Sequence, residues 1–148
     1  VLGRVALVWR VGPYALSLDT TESTFASATS GAIETIDVSG SDVEVEPVIE
    51  ITATNDNPSG FTIDIGGTVL TYGSAVIGGK ELTISCVTQT VVDGHFADQE
   101  FSTGNFNGAS LDMADVSGAF GVLSSENSNI TVTGIDATIR VVFRERYL

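Results

Sequence analysis

Few residues in this sequence combine types and spacings that could support acid–base or metal chemistry. His95 is the only histidine, so a histidine-based metal site would hold at most one imidazole ligand. It follows a turn and lies near Asp98 and Glu100, as a general acid/base cluster would require, but a solvated histidine in a hairpin is the simpler interpretation. The chain contains no nucleophile elbow, glycine-rich phosphate loop or Cys/His cluster. We therefore predict no catalytic residues, no cofactor and no enzymatic activity.

Asp56 and Cys86 are the remaining candidates for metal binding or thiol chemistry. Asp56, in ATNDNPSG, could supply oxygens to calcium, but Asn and Asp also favour turns by bonding to their own backbone. The stretch lacks the Asp-x-Asn-x-Asp-Gly spacing of a calcium loop. Cys86 alternates with Ile84 in LTISCV, which is typical of a buried thiol, and a single cysteine excludes an internal disulfide framework. The sequence therefore predicts no metal site and an inert cysteine.

Charge is distributed unevenly along the chain, whose formal net charge is −13 at pH 7. Residues 19–120 hold sixteen acidic residues and a single basic one, Lys80. An acidic body repels phosphates, so we predict no specific binding of nucleic acid. No apolar run approaches the roughly 20 residues of a membrane-spanning helix, so no membrane span is predicted either.

The other five basic residues lie near the two ends of the sequence: Arg4, Arg10, Arg140, Arg144 and Arg146. The last three recur at even spacing in IRVVFRERYL, so a strand would project them from one face. Guanidinium groups form forked contacts with carboxylates. We predict that these arginines form an interface with an acidic neighbour or another copy of the chain. The alternative is a solvated strand face with acidic partners in the same molecule.

Alternation with a period of two dominates the chain and predicts strands that position these residues. Gly66-Gly67 and Asp93-Gly94 each have the spacing of a tight hairpin turn. The polar stretch LDTTESTFASATSGA is expected to be a surface connection, and SLDMADVSGAF is the one candidate for a helical turn.

Nine or ten short strands predict an all-β protein, an antiparallel β-sandwich or jelly roll with little or no helix. We expect one domain over 1–148, with a lead-in strand and surface connection in 1–32 and the sandwich body in 33–148. The alternation predicts these inward-facing residues: Val5, Leu7, Trp9, Ile49, Ile51, Leu82, Ile84, Ile130 and Val132.

Several of these stretches resemble the C-terminal galectin-like half of phage distal tail proteins and related siphophage tail components. The resemblance rests on EPVIEITATNDNPSGFTI, GKELTISCVTQTVVDG and NSNITVTGIDATIRVVFRERYL. The family has a proline-led strand before an Asn-Pro turn, an Asp-Gly hairpin and a final arginine-rich strand. Three places depart from its pattern: Gly12-Pro13-Tyr14 lacks an aspartate, Cys86 stands where aspartate is frequent, and SSENSN replaces a Pro-Gly-Asn turn.

The resemblance implies a galectin-like fold and a non-enzymatic structural role in a virion. Distal tail proteins form rings that join the tail tube to the baseplate or fibres, so the implied partners are other copies of this chain and neighbouring tail proteins. The implied location is the phage tail, extracellular after release. Because the family's ring-forming upstream domain is not visible here, the chain is expected to belong to a longer protein or to be a stand-alone module. The alternative function is a carbohydrate-binding or receptor-adhesion domain on the same sandwich, with a cell-surface glycan as its ligand.

Overall fold

Two five-stranded sheets packed face to face make up most of the part of the chain that the structure, a computed structural model, describes. The described residues are 15–17, 19–95, 110–126 and 128–148. The strands are β1 Ala15–Leu16, β2 Thr21–Ala28, β3 Ile33–Ile36, β4 Val48–Ala53, β5 Phe61–Ile65, β6 Thr68–Tyr72, β7 Glu81–Ser85, β8 Thr90–Asp93, β9 Val116–Gly118, β10 Ser128–Thr133, β11 Ala137–Phe143 and β12 Arg146–Tyr147.

The front sheet has the strand order β2-β11-β4-β7-β8, and the back sheet has the order β3-β10-β5-β6-β9. A short ladder of β1 and β12 joins the two ends of the described chain. Each pairing between these strands is antiparallel. The described residues form no helix, and hence none that could cross a membrane. The predicted all-β antiparallel sandwich is confirmed.

The core lies between the two sheets and is filled by the inward members of each alternating strand. The six predicted core residues that the structure describes are at most 4% exposed: Ile49, Ile51, Leu82, Ile84, Ile130 and Val132. In β5, burial alternates residue by residue, because successive side chains of a strand point to opposite faces. Val5, Leu7 and Trp9 lie outside the described residues.

The first predicted hairpin is confirmed, whereas the return strand of the second, after Asp93-Gly94, lies outside the described residues. Gly66 and Gly67, both at positive φ, join β5 to β6. The chain reverses between β7 and β8 at residues 86–89, inside the stretch that the alternation predicts to be a single strand ending at Asp93-Gly94. Gln89 takes a positive φ of 56° there, and Ser85 Oγ accepts a hydrogen bond from the Thr88 N–H at 3.1 Å. The prediction of one unbroken strand over residues 81–92 was wrong because this turn contains no glycine or asparagine.

The polar stretch expected to be a surface connection instead contains β2, the longest described strand. It pairs with β11 at the edge of the front sheet, and a bulge near Ser27, at a φ of 61°, interrupts the ladder. The interpretation of residues 18–32 as a connection was wrong because an edge strand needs few buried side chains. Only Phe25 packs against the core from the middle of β2. The stretch proposed as a helical turn contains β9 instead.

Candidate functional site: the arginine groove and the charged sheet face

Three of the five predicted interface arginines lie in the described residues, at the C-terminal end of the chain. Arg140 is on β11, whereas Arg144 precedes the short strand β12 that holds Arg146. Arg144 and Arg146 line one groove together, and Arg140 lines a separate depression. The strand is interrupted between β11 and β12, so the even spacing does not bring all three to one place. Arg4 and Arg10 lie outside the described residues.

The groove lined by Arg144 and Arg146, here called the arginine groove, has a volume of about 200 Å³. Val48 and Val142 form its buried base and are at most 3% exposed. Leu16 and Val87 lie at its sides and remain 50% and 43% exposed. Its lining residues are Leu16, Glu46, Val48, Val87, Val142, Phe143, Arg144 and Arg146. The groove therefore combines an apolar surface with two guanidinium groups.

The two arginines of the groove differ in their hydrogen bonding. Arg146 Nη2 donates to Glu46 Oε2 at 2.5 Å, and its Nη1 donates to the Glu44 carbonyl at 3.3 Å. Arg144 is half-buried, and its Nε is enclosed without an acceptor among the described atoms. A buried donor without a partner costs about 1–3 kcal/mol. An acceptor from outside the described chain would remove that penalty.

The depression that contains Arg140 lies on the outer side of the front sheet and is called here the charged sheet face. Glu50, on β4, is 8% exposed there. Its carboxylate lies between Arg140 Nη1, at 3.2 Å, and His95 Nδ1. Arg140 Nε and Nη2 each donate to one oxygen of Glu22 at 2.9 Å. This forked pair ties the edge strand β2 to β11, and Glu50 extends the network to β4.

His95 is a packed residue and not the solvated hairpin histidine of the simpler prediction. Its side chain is only 24% exposed. Nδ1 contacts the Glu50 carboxylate, while Nε2 lies 3.1 Å from the Ile51 carbonyl. Asp98 and Glu100, its predicted neighbours, lie outside the described residues. The partnership with Glu50 was missed because those residues are distant in sequence. The available signal was an acidic residue between two isoleucines in VIEIT.

The charged sheet face also carries three threonines, Thr24, Thr52 and Thr138, around a volume of about 260 Å³. The four ionisable side chains of this network each have a partner within the molecule: Glu22, Glu50, His95 and Arg140. Charges that neutralise one another hold strands in register but offer little net attraction to a charged ligand. We conclude that this network serves chiefly to connect β2, β11 and β4.

Asp56 and Cys86, the other candidates for metal binding or thiol chemistry, both have structural roles in the fold. Asp56 Oδ1 accepts a long-range hydrogen bond from the Gly78 N–H at 2.7 Å. The local turn bond is made instead by Asn57 Oδ1, which accepts from the Ser59 N–H at 2.8 Å. Cys86 is 3% exposed, which confirms the predicted buried thiol. Burial raises the pKa of Cys86 to about 12. The described residues contain no group of three or more His, Cys, Asp or Glu side chains that could hold a metal ion.

A third polar cluster joins the two sheets through Asp112. The Tyr72 hydroxyl donates to Asp112 Oδ2 at 2.7 Å, and Lys80 Nζ lies 3.3 Å from the same oxygen. Lys80 Nζ also lies 2.5 Å from Asp93 Oδ1. Burial, together with the hydrogen bond to Asp112, raises the pKa of Tyr72 to about 12. These contacts bind the segment after residue 110 to β6 and β8.

Comparison with known proteins gives no relative from which a function could be transferred. The chain matches no protein-family model, and no curated protein matches it. The fold and the described sites define an all-β sandwich with one apolar groove rimmed by arginines. The function is therefore inferred from these features and from the sequence motifs.

Proposed function

We propose that this protein is a non-enzymatic structural module of a phage tail that docks neighbouring virion proteins, as distal tail proteins do. The motifs behind the resemblance lie on neighbouring strands of both sheets: β4, β7 and β11 in the front sheet, and β5 and β10 in the back sheet. The proline-led stretch contains β4, which pairs along its whole length with the arginine-rich β11. An all-β sandwich is what the resemblance implies, and the observed sandwich supports the proposal.

The observation that carries the proposal is the arginine groove. Pockets for drug-sized ligands have volumes of about 300–1,000 Å³, whereas this groove has about 200 Å³. It is better suited to one or two anchoring side chains of a protein partner. The groove presents two positively charged arginines on a chain whose formal net charge is −13. These arginines can therefore orient an acidic neighbour. These features favour protein docking over small-molecule chemistry.

Glycan binding, the alternative function, would use the charged sheet face. The described lining of that depression contains threonines, His95, Glu50 and Arg140 but no Trp, Tyr or Phe. Sugar rings commonly stack on flat aromatic side chains. The lining therefore favours assembly as the function of the described part of the chain.

The proposal is tested by assembling phage particles with Arg144→Glu/Arg146→Glu in place of the natural residues. We expect normal circular dichroism for the isolated protein but reduced incorporation, measured by quantitative mass spectrometry of purified particles. Electron microscopy of tagged particles should place the protein at the tail tip. Density elsewhere in the particle, or full incorporation of the double variant, would overturn the proposal.

A matched pair of single variants separates a local effect from a change of net charge. Arg144→Gln and Ser117→Asp each lower the net charge by one, and Ser117 is exposed on β9 of the back sheet. Arg144→Gln also spares the pair between Arg146 and Glu46. We expect lower incorporation for Arg144→Gln and wild-type incorporation for Ser117→Asp.

A further inference from the structure

We infer that the arginine groove binds an extended segment of a neighbouring protein in which an aliphatic side chain stands next to a carboxylate. The inference rests on the proposed docking function and specifies the chemistry of the docked segment. The aliphatic side chain would lie on the buried valines, and the carboxylate would accept hydrogen bonds from Arg144.

The inference that an aliphatic side chain binds here rests on the burial and exposure of the apolar residues that line the groove. Val48 and Val142 are register partners on β4 and β11 and form a hydrophobic cluster separate from the core between the sheets. Leu16 and Val87 extend this apolar surface but are half-exposed. A side chain that covers them would remove this apolar area from water, which is favourable in proportion to the area covered. A short aliphatic side chain is the occupant that fits about 200 Å³.

The inference that a carboxylate binds here rests on the difference in hydrogen bonding between the two guanidinium groups. Arg146 Nη2 lies 2.5 Å from Glu46 Oε2, so one guanidinium group of the groove already pairs with a carboxylate. Arg144 Nε is buried and has no acceptor among the described atoms. A planar guanidinium prefers a forked pair with a carboxylate, so one incoming Asp or Glu side chain would satisfy the orphan donor.

A protein segment fits these features better than a free acid or a polyanion. The formal net charge of −13 repels an extended polyanion. A small acid could occupy the base of the groove but would leave the half-exposed side chains of Leu16 and Val87 largely uncovered. An extended peptide can place one side chain in the groove and cover both sides with its backbone.

The test uses two capped tetrapeptides, acetyl-Thr-Leu-Glu-Thr-amide and the same peptide with Gln in place of Glu. Binding is followed by chemical-shift changes in ¹H–¹⁵N NMR spectra during titration. We expect the Glu peptide to shift the amides of Val87 and Arg144 and to bind about tenfold more tightly than the Gln peptide, as for a charge-assisted hydrogen bond. Arg144→Gln should abolish this difference, whereas Ser117→Asp should preserve it.

Two results would overturn the inference. One is equal affinity of the Glu and Gln peptides, or a preference for Glu that survives Arg144→Gln. The other is binding of free isovalerate as tight as that of the Glu peptide, which would assign the groove to a small carboxylic acid. If the peptide preference fails while Arg144→Gln still lowers incorporation into particles, docking stands and only the chemistry of the segment is wrong. If electron microscopy places the protein away from the tail tip, the proposed function itself is wrong.

Discussion

Replacing Arg140 with leucine measures how far the buried carboxylate of Glu50 depends on its guanidinium partner. Glu50 is 8% exposed, and among the described residues its remaining close nitrogen contact would be His95 Nδ1. Removing one partner of a fully buried ion pair costs about 3–5 kcal/mol. The Arg140 side chain is 24% exposed, so water can reach part of the space it leaves. Because Arg140 is the guanidinium partner of this buried carboxylate, we expect Arg140→Leu to lower the free energy of unfolding by about 2–3 kcal/mol.

The reverse substitution should cost less, because the two partners are not equally buried. In Glu50→Leu, Arg140 keeps its forked pair with Glu22, at 2.9 Å to each oxygen. We expect a loss of about 1 kcal/mol, within the range for a pair exposed to solvent. The double variant should be about as stable as Glu50→Leu, because replacing both partners of a buried pair with apolar residues is nearly neutral. The coupling energy between the two sites is then about 2–3 kcal/mol.

Urea unfolding of the four proteins, followed by far-ultraviolet circular dichroism, gives this coupling energy directly. Equal slopes of unfolding free energy against urea show that the denatured states are comparable. If the two single effects add to within about 0.5 kcal/mol, the residues are independent and the reasoning is wrong. A loss for Glu50→Leu that exceeds the loss for Arg140→Leu would also contradict the burial argument.

Three further predictions concern the core, the buried phenol and the thiol. Ile84→Ala should lower the free energy of unfolding by about 2–5 kcal/mol. The control Ile77→Ala, at a residue 67% exposed, should change it by less than about 0.5 kcal/mol. Equal effects of the two substitutions in urea unfolding would refute the assigned core. Ultraviolet titration should show Tyr72 ionising with a pKa of about 12, and Tyr72→Phe should remove that step. Since this folded-state pKa is raised above the unfolded value of about 10, the contribution of Tyr72 to stability is complete below pH 10 and falls as the pH rises towards 12. Cys86, whose pKa is raised to about 12 by burial, should react with Ellman's reagent only in urea, because the thiolate is the reactive form; rapid reaction in the native protein would show that the thiol is accessible.

Local patterns were sufficient to predict the fold class and the inner face of most strands. Alternation in VIEIT and FTIDI identified Ile49, Ile51 and their neighbours as core residues, because the orientation of a side chain in a strand depends on position parity alone. Gly66-Gly67 identified a hairpin for an equally local reason, since both residues take positive φ. The turn before β8 escaped prediction because Gln89 adopts its positive φ without being a glycine.

The sites, in contrast, depend on which strands become neighbours. Even spacing predicted one shared face for three arginines, yet the fold places Arg140 in a different depression from Arg144 and Arg146. The fold also gives Arg140 its partners on β2 and β4. The arginine groove brings together Leu16, Val48, Val87 and Val142, which are far apart in sequence. Their proximity is set by long-range strand pairing, in which the gain from burying two apolar faces selects one register among many. A local pattern specifies the sheet face on which a side chain lies. Only the long-range strand pairing specifies which residues that face contacts.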